Sequence, residues 1–151
     1  MIYPVKSSII GVKIKPLNQI IDERGKIMHM LKETDPLFEK FGEIYFSTIH
    51  PNSVKGWQMY SEMTINYAVV AGSIKLVLYD ERINSVTAGN FMEIFLGQDN
   101  YYLVKIPPNV WNGFKAVGTE TAIVANCSTI PHNQDSARRL EPNHCHIPYR
   151  W

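Results

Sequence analysis

Apolar segments rich in β-branched and aromatic residues recur along this chain at roughly ten-residue spacing, each bounded by a cluster of turn formers. They are Ile9–Ile14, Lys26–Leu31, Ile44–Ile49, Ile65–Val70, Ile74–Tyr79, Phe91–Phe95, Tyr101–Ile106 and Ala122–Cys127. Between them lie Asp22-Glu23-Arg24-Gly25, His50-Pro51-Asn52, Ala71-Gly72-Ser73, Thr87-Ala88-Gly89-Asn90, Gly97-Gln98-Asp99-Asn100 and Pro107-Pro108-Asn109, whose glycines, prolines and short polar side chains suit turns. This pattern predicts short strands without crossover helices, hence an all-β antiparallel sandwich or barrel. Helix is expected only over Pro36–Phe41 and in a short turn near Gln134–Leu140. Ile65–Val70 alternates imperfectly, which predicts burial on both faces, against a second sheet or a second subunit. A homodimer is expected on that ground.

Composition narrows the function classes. At 151 residues the chain has the length of one domain, and residues 1–151 are expected to form it. A formal charge of +1, with 19% charged residues of both signs, offers no electrostatic footprint for nucleic acid or an anionic membrane. The N-terminal stretch MIYPVKSSIIGVKIKP is interrupted by Pro4 and lysines, so neither a signal-peptide core nor a spanning segment is read there, and a cytoplasmic location is expected. Cys127 and Cys145 have neither the spacing nor the companions of a disulfide framework or zinc site, and are expected to be reduced thiols.

Further segments, taken in order and spacing, carry a resemblance. Asp22-Glu23-Arg24-Gly25 is followed by Phe38 and Phe41; Val54-Lys55-Gly56-Trp57 comes next; Gly72 to Leu78 leads into Asp80-Glu81-Arg82 and Ser85-Val86-Thr87; and Ile106-Pro107-Pro108-Asn109-Val110-Trp111-Asn112-Gly113-Phe114 follows. Together these resemble the dTDP-4-dehydrorhamnose 3,5-epimerase family of sugar-nucleotide epimerases, a branch of the cupins, from about Val12 to Trp151. The resemblance implies a cupin-type antiparallel jelly-roll barrel with little helix, a homodimer, a sugar-nucleotide ligand, and a place in deoxysugar or surface-polysaccharide biosynthesis. The activity it implies is epimerisation or isomerisation of a 4-keto-hexose.

The same alignment marks departures. Epimerising a keto sugar takes protonatable groups that remove and return a proton beside the ketone. Gln58 falls where the family has its base histidine, Ile65 where it has lysine, Leu76 at its strand aspartate and Asn112 at the histidine before Gly-Phe. The strand segment Asn126-Cys127-Ser128-Thr129-Ile130 lacks the family's tyrosine, and Glu141-Pro142 resembles the Asp-Pro whose carboxylate orients the histidine. A glutamine amide accepts no proton at neutral pH, so the family's usual mechanism does not carry over. Replacing Gln58 with histidine is expected to recreate the base beside Glu141. The ligand positions of metal-binding cupins read Gln58, Tyr60, Ile65 and Asn112, which lack the imidazoles and carboxylates that transition ions favour, so no metal and no cofactor are expected.

The remaining candidates have two readings each. Strand parity places Gln58 and Tyr60 on one face, which with Asn112 form either a sugar pocket or a self-satisfied polar cluster. Tyr60, His132 and Glu141 are the candidate proton-transfer groups; Tyr60 reads otherwise as a barrel-lining residue. Lys55 and Lys115 read as phosphate contacts or solvated surface charges, and Arg24 as a diphosphate contact or a turn arginine paired with Asp22 or Glu23. Trp57, Trp111 and Phe114 either stack on the ligand or pack in the core. His29 and His50 read as structural, and His144-Cys145-His146 as an adventitious metal contact at most. A sugar-nucleotide epimerase or isomerase without the usual catalytic set, and a non-catalytic binder of a sugar or sugar nucleotide, are the competing functions.

Overall fold

The computed structural model describes residues 8–133 and 137–151. Its strands are β1 (Lys13–Pro16), β2 (Gln19–Asp22), β3 (Gly25–Met28), β4 (Glu43–Ile49), β5 (Val54–Tyr60), β6 (Ile65–Ala71), β7 (Ser73–Asp80), β8 (Phe91–Gly97), β9 (Tyr102–Ile106), β10 (Val110–Val117), β11 (Ala122–Ser128) and β12 (Ala137–Leu140). They form two five-stranded sheets, ordered β1-β9-β6-β11-β4 and β12-β5-β10-β7-β8, and the separate hairpin β2–β3. The strand pairs described here are antiparallel, and the two sheets face each other as a jelly roll.

Alternation fixes which side chains enter the interior. On β8, Met92, Ile94 and Leu96 are buried while Glu93 and Phe95 face out. Together with Ile74, Leu76 and Leu78 of β7 and Val104 and Ile106 of β9, they fill the main core between the sheets. A second apolar cluster lies on the outer face of the second sheet, where Trp57, Met59, Val77 and Trp111 are covered by Ile147, Tyr149 and Trp151. Gly72 turns β6 into β7 at φ +67°, and a Cβ there would stand 2.6 Å from the Ala122 backbone, so both conformation and space require glycine.

The structure corrects the helical expectations. Residues 36–41 run as turn and irregular backbone, and no helix occurs among the described residues. The turn expected near Gln134–Leu140 is strand β12 from Ala137 onward, because that segment pairs with β5; residues 134–136 lie outside the described ones. β5, β10 and β12 were not among the apolar runs of the sequence, since VKGWQMY, VWNGFKAV and ARRL break the apolar pattern. Among the described residues no helix is long and apolar enough to cross a membrane.

Candidate functional site

The site sits where these pattern-breaking strands line the barrel interior. In the β5–β10 pair Asn112 faces Gln58 and Phe114 faces Lys55, so residues 56 and 57 stand together opposite Gly113. This bulge turns Lys55 onto the same face as Gln58 in spite of their odd separation. Gly56 permits it: a Cβ there would come 2.9 Å from both the Leu140 carbonyl oxygen and the Pro142 ring.

The result is a cavity of about 440 Å³ between the two sheets. One wall carries Lys55, Gln58, Asn112 and Phe114, with Arg139 from β12; the other carries Tyr45 and Ser47 of β4, Tyr67 of β6 and Asn126 of β11, with His132 at the rim. Among the described residues no aspartate or glutamate lines it, whereas Lys55, Arg139 and His132 do. The lining therefore suits a polar ligand that brings negative charge.

Hydrogen bonds fix most of these groups. Gln58 Nε2 donates to the Tyr67 hydroxyl at 3.1 Å, and that hydroxyl donates to Asn112 Oδ1 at 3.0 Å. Asn112 Nδ2 donates to the Gln58 backbone carbonyl at 3.2 Å, which sets the orientation of the amide. Gln58 Oε1 accepts from Arg139 at 3.1 Å and from the Tyr60 hydroxyl at 3.4 Å. Burial pushes the Tyr67 phenol well above its ordinary pKa, so it stays a neutral hydroxyl. On the opposite wall Asn126 Nδ2 donates to the Tyr45 hydroxyl at 3.0 Å, and the Tyr45 ring meets the His132 ring edge-on at 5.5 Å between centroids. Lys55 Nζ reaches across the mouth to Ser47 Oγ at 2.6 Å. The His132 amide donates to Glu43 Oε1 at 2.8 Å, which ties the rim segment to the start of β4.

Of the residues singled out in the sequence, Lys55, Gln58, Asn112, Phe114 and His132 meet in this cavity. Tyr60 lies behind Gln58 in the apolar core, its ring 6.3 Å from that of His132. Others are placed elsewhere. Trp111 and Lys115 alternate with the inward Asn112 and Phe114, so they point to the outer face; Trp111 is buried there under the C-terminal segment and Arg138 rather than at a pocket mouth. Glu141 lines an outer cleft with Trp57, Pro142 and His144, on the far side of β5 from the cavity. Arg24 sits in the β2–β3 turn, its side chain 82% exposed and paired with Asp22 at 2.7 Å. Tyr45, Ser47, Tyr67, Asn126 and Arg139 line the cavity as well, and no motif in the sequence marks them as site residues. For β4 a signal existed: Tyr45 and Ser47 alternate with Ile44 and Phe46, and a polar interior would turn the polar members inward. Among the described residues no group of three or more histidine, cysteine or carboxylate side chains is placed to hold a metal ion.

Comparison with known proteins follows the same architecture. Residues 6–151 match the dTDP-4-dehydrorhamnose 3,5-epimerase family. The chain belongs to that family. Within it, a solved dTDP sugar isomerase from Desulfovibrio desulfuricans G20 is 45% identical, with a TM-score of 0.93 over 95% of this chain and 92% of that one. The spore coat polysaccharide biosynthesis protein SpsL of Bacillus subtilis is 28% identical over 139 residues, covering 92% of this chain and 89% of SpsL. The probable low-salt glycan biosynthesis epimerase Agl13 of Haloferax volcanii is 28% identical over 144 residues, covering 94% and 89%. A 3,5-epimerase-family chain with this cavity thus has relatives in polysaccharide and glycan biosynthesis.

Proposed function

We propose that the barrel cavity holds the hexose of a nucleotide-linked 4-keto sugar and that the chain acts on it as an epimerase or isomerase of deoxysugar or surface-polysaccharide biosynthesis, in the cytoplasm. The observation that carries this reading is the cavity wall itself: amide, hydroxyl and cationic groups, with no carboxylate among the described residues, in a chain of the 3,5-epimerase family. Neutral donors and acceptors suit sugar hydroxyls, and Lys55 at the mouth suits a diphosphate oxygen. Arg24 adds a phosphate contact if its hairpin serves the cavity of a second copy in a homodimer. His132 is assigned as the group that takes a proton from the carbon beside the ketone, and Tyr60 as the residue that holds Gln58 from behind. Such chemistry moves protons only, so no cofactor is part of the proposal.

A second reading, a non-catalytic holder of the same ligand, is favoured by Gln58, whose side-chain amide is engaged at both ends where the resemblance places a base. One experiment separates the readings: incubation with a dTDP-linked 4-keto-6-deoxyhexose in deuterated water, read by mass spectrometry at the carbons flanking the ketone. Label incorporation supports turnover, binding without label supports the holder, and absence of both removes the keto-sugar assignment.

A further inference from the structure

The cavity holds two phenols, Tyr45 and Tyr67, and their hydrogen-bond partners give them different roles. A phenol has one proton to give and lone pairs to accept with. The Tyr67 proton is engaged: Asn112 Nδ2 is turned to the Gln58 carbonyl, so Asn112 Oδ1 faces Tyr67 and accepts its hydroxyl. At Tyr45 the arrangement is reversed. The backbone amide of buried Asn66 donates to Asn126 Oδ1 at 3.2 Å, which leaves Asn126 Nδ2 to face Tyr45 and donate to its oxygen. The Tyr45 oxygen is thus an acceptor in this contact, and its proton has no acceptor among the described residues.

Position agrees with this. Tyr45 lies on the inward face of β4, directly paired with Asn126 of β11, and its ring touches that of His132. A hydroxyl proton directed into a polar cavity beside an imidazole is suited to a developing oxyanion.

We propose that Tyr45 is the proton donor of this site, delivering its hydroxyl proton to the carbonyl oxygen of the bound keto sugar, with Asn126 as its positioning residue. The proposal rests on the keto-sugar reading above. In the step, the His132 imidazole takes the proton from the carbon next to the ketone. The C–H electron pair becomes the C=C bond, and the C=O π pair moves to oxygen, which takes the Tyr45 proton. Enol, phenolate and imidazolium result. Return of a proton from the imidazolium to carbon, and of the enol proton to the phenolate, regenerates all groups without net oxidation or reduction.

Tyr45→Phe keeps the ring and removes the hydroxyl, both its proton and the oxygen that accepts from Asn126. Its test uses the full-length protein, with calorimetric binding of dTDP and of dTDP-4-keto-6-deoxyglucose, and solvent deuterium exchange into the latter. The expected result is unchanged dTDP affinity and a thermal midpoint lowered by no more than the loss of the Asn126 contact, with exchange slowed about 10²- to 10⁴-fold. Exchange at the wild-type rate in Tyr45→Phe overturns the assignment. If the wild-type protein binds the keto sugar without exchange, Tyr45→Phe is expected to weaken that ligand about tenfold while sparing dTDP, as loss of one hydrogen bond would; equal affinities then overturn it. Absence of any binding by the wild-type protein refutes the keto-sugar reading itself, and Tyr45's role falls with it.

Discussion

The Tyr67 hydroxyl meets Asn112 Oδ1 at 3.0 Å across the interior of the barrel, joining the two sheets through a polar contact. Asn112 is fully buried and yet forms part of the cavity wall. A cavity-lining position and a structural bridge therefore share one side chain. The sequence had posed these as alternatives, and the geometry makes them a single arrangement in which Gln58, Tyr67 and Asn112 hold one another and present their outer edges to the cavity.

Replacing Asn112 with leucine is therefore expected to lower stability as well as to perturb binding. It strands the Tyr67 hydroxyl in a buried setting, and an unsatisfied group of that kind costs roughly 1–3 kcal/mol. Urea denaturation should show a lower midpoint with an unchanged slope. A midpoint equal to that of the parent would mean that the Tyr67 contact contributes nothing to the fold.

Most of the sheet framework was legible in the apolar runs, because β4, β6, β7, β8, β9 and β11 pair and pack through residues of ordinary strand type. The strands that build the site were not. β5 and β10 carry Gly56, Gln58, Asn112 and Gly113, where polar lining and close approach by the tail replace the usual alternation. The bulge opposite Gly113 reverses the parity of Lys55, which no count of residues reveals. The resemblance that sets Glu141 beside position 58 is not enough to place it: Glu141 lies past Leu140, the last paired residue of β12, and lines the cleft with Trp57 and His144.

Asp80 should govern the acid limb of stability. Burial on its own would raise its pKa, but hydrogen bonds from Arg82, Thr87 and Ser85 outweigh that and hold the carboxyl well below its ordinary value of 3.8. A depressed folded-state pKa contributes stability that is fully present above the unfolded value and is lost as pH falls through the folded one. Asp80→Ala should cost about 3 kcal/mol at neutral pH, since it leaves Arg82 and two hydroxyls without their acceptor. Below pH 4 the gap between variant and parent should narrow, as thermal midpoints measured from pH 7 to pH 2 will show. A gap that stays constant across that range would separate Asp80 from acid sensitivity.

Self-association is expected through the apolar surface left open by a lone chain. Ile20, Ile21 and Ile27 on the β2–β3 hairpin are 55%, 72% and 58% exposed, and Ile44 and Phe46 line the outer side of edge strand β4. Sedimentation at micromolar concentration should give a homodimer, and Ile21→Lys combined with Phe46→Lys should shift it to monomer. A parent protein that sediments as a monomer would contradict this.

The final expectation concerns a histidine at position 58. The resemblance to the family implies that Gln58→His sets an imidazole beside Glu141, whose carboxylate would orient it. The structure removes that partner, because Glu141 lines the outer cleft, and supplies a different one, since Arg139 already donates to the Gln58 side chain at 3.1 Å. A guanidinium at hydrogen-bond range disfavours a second positive charge, so the new imidazole should titrate below its usual value of about 6.5 and serve poorly as a base. Solvent exchange into a bound keto sugar should therefore stay at the parent level in Gln58→His. It should rise only when Arg139→Gln removes the opposing charge. Proton NMR titration of the imidazole in both variants checks the order directly: a pKa at or above the ordinary value in the single variant would show that Arg139 does not control this position.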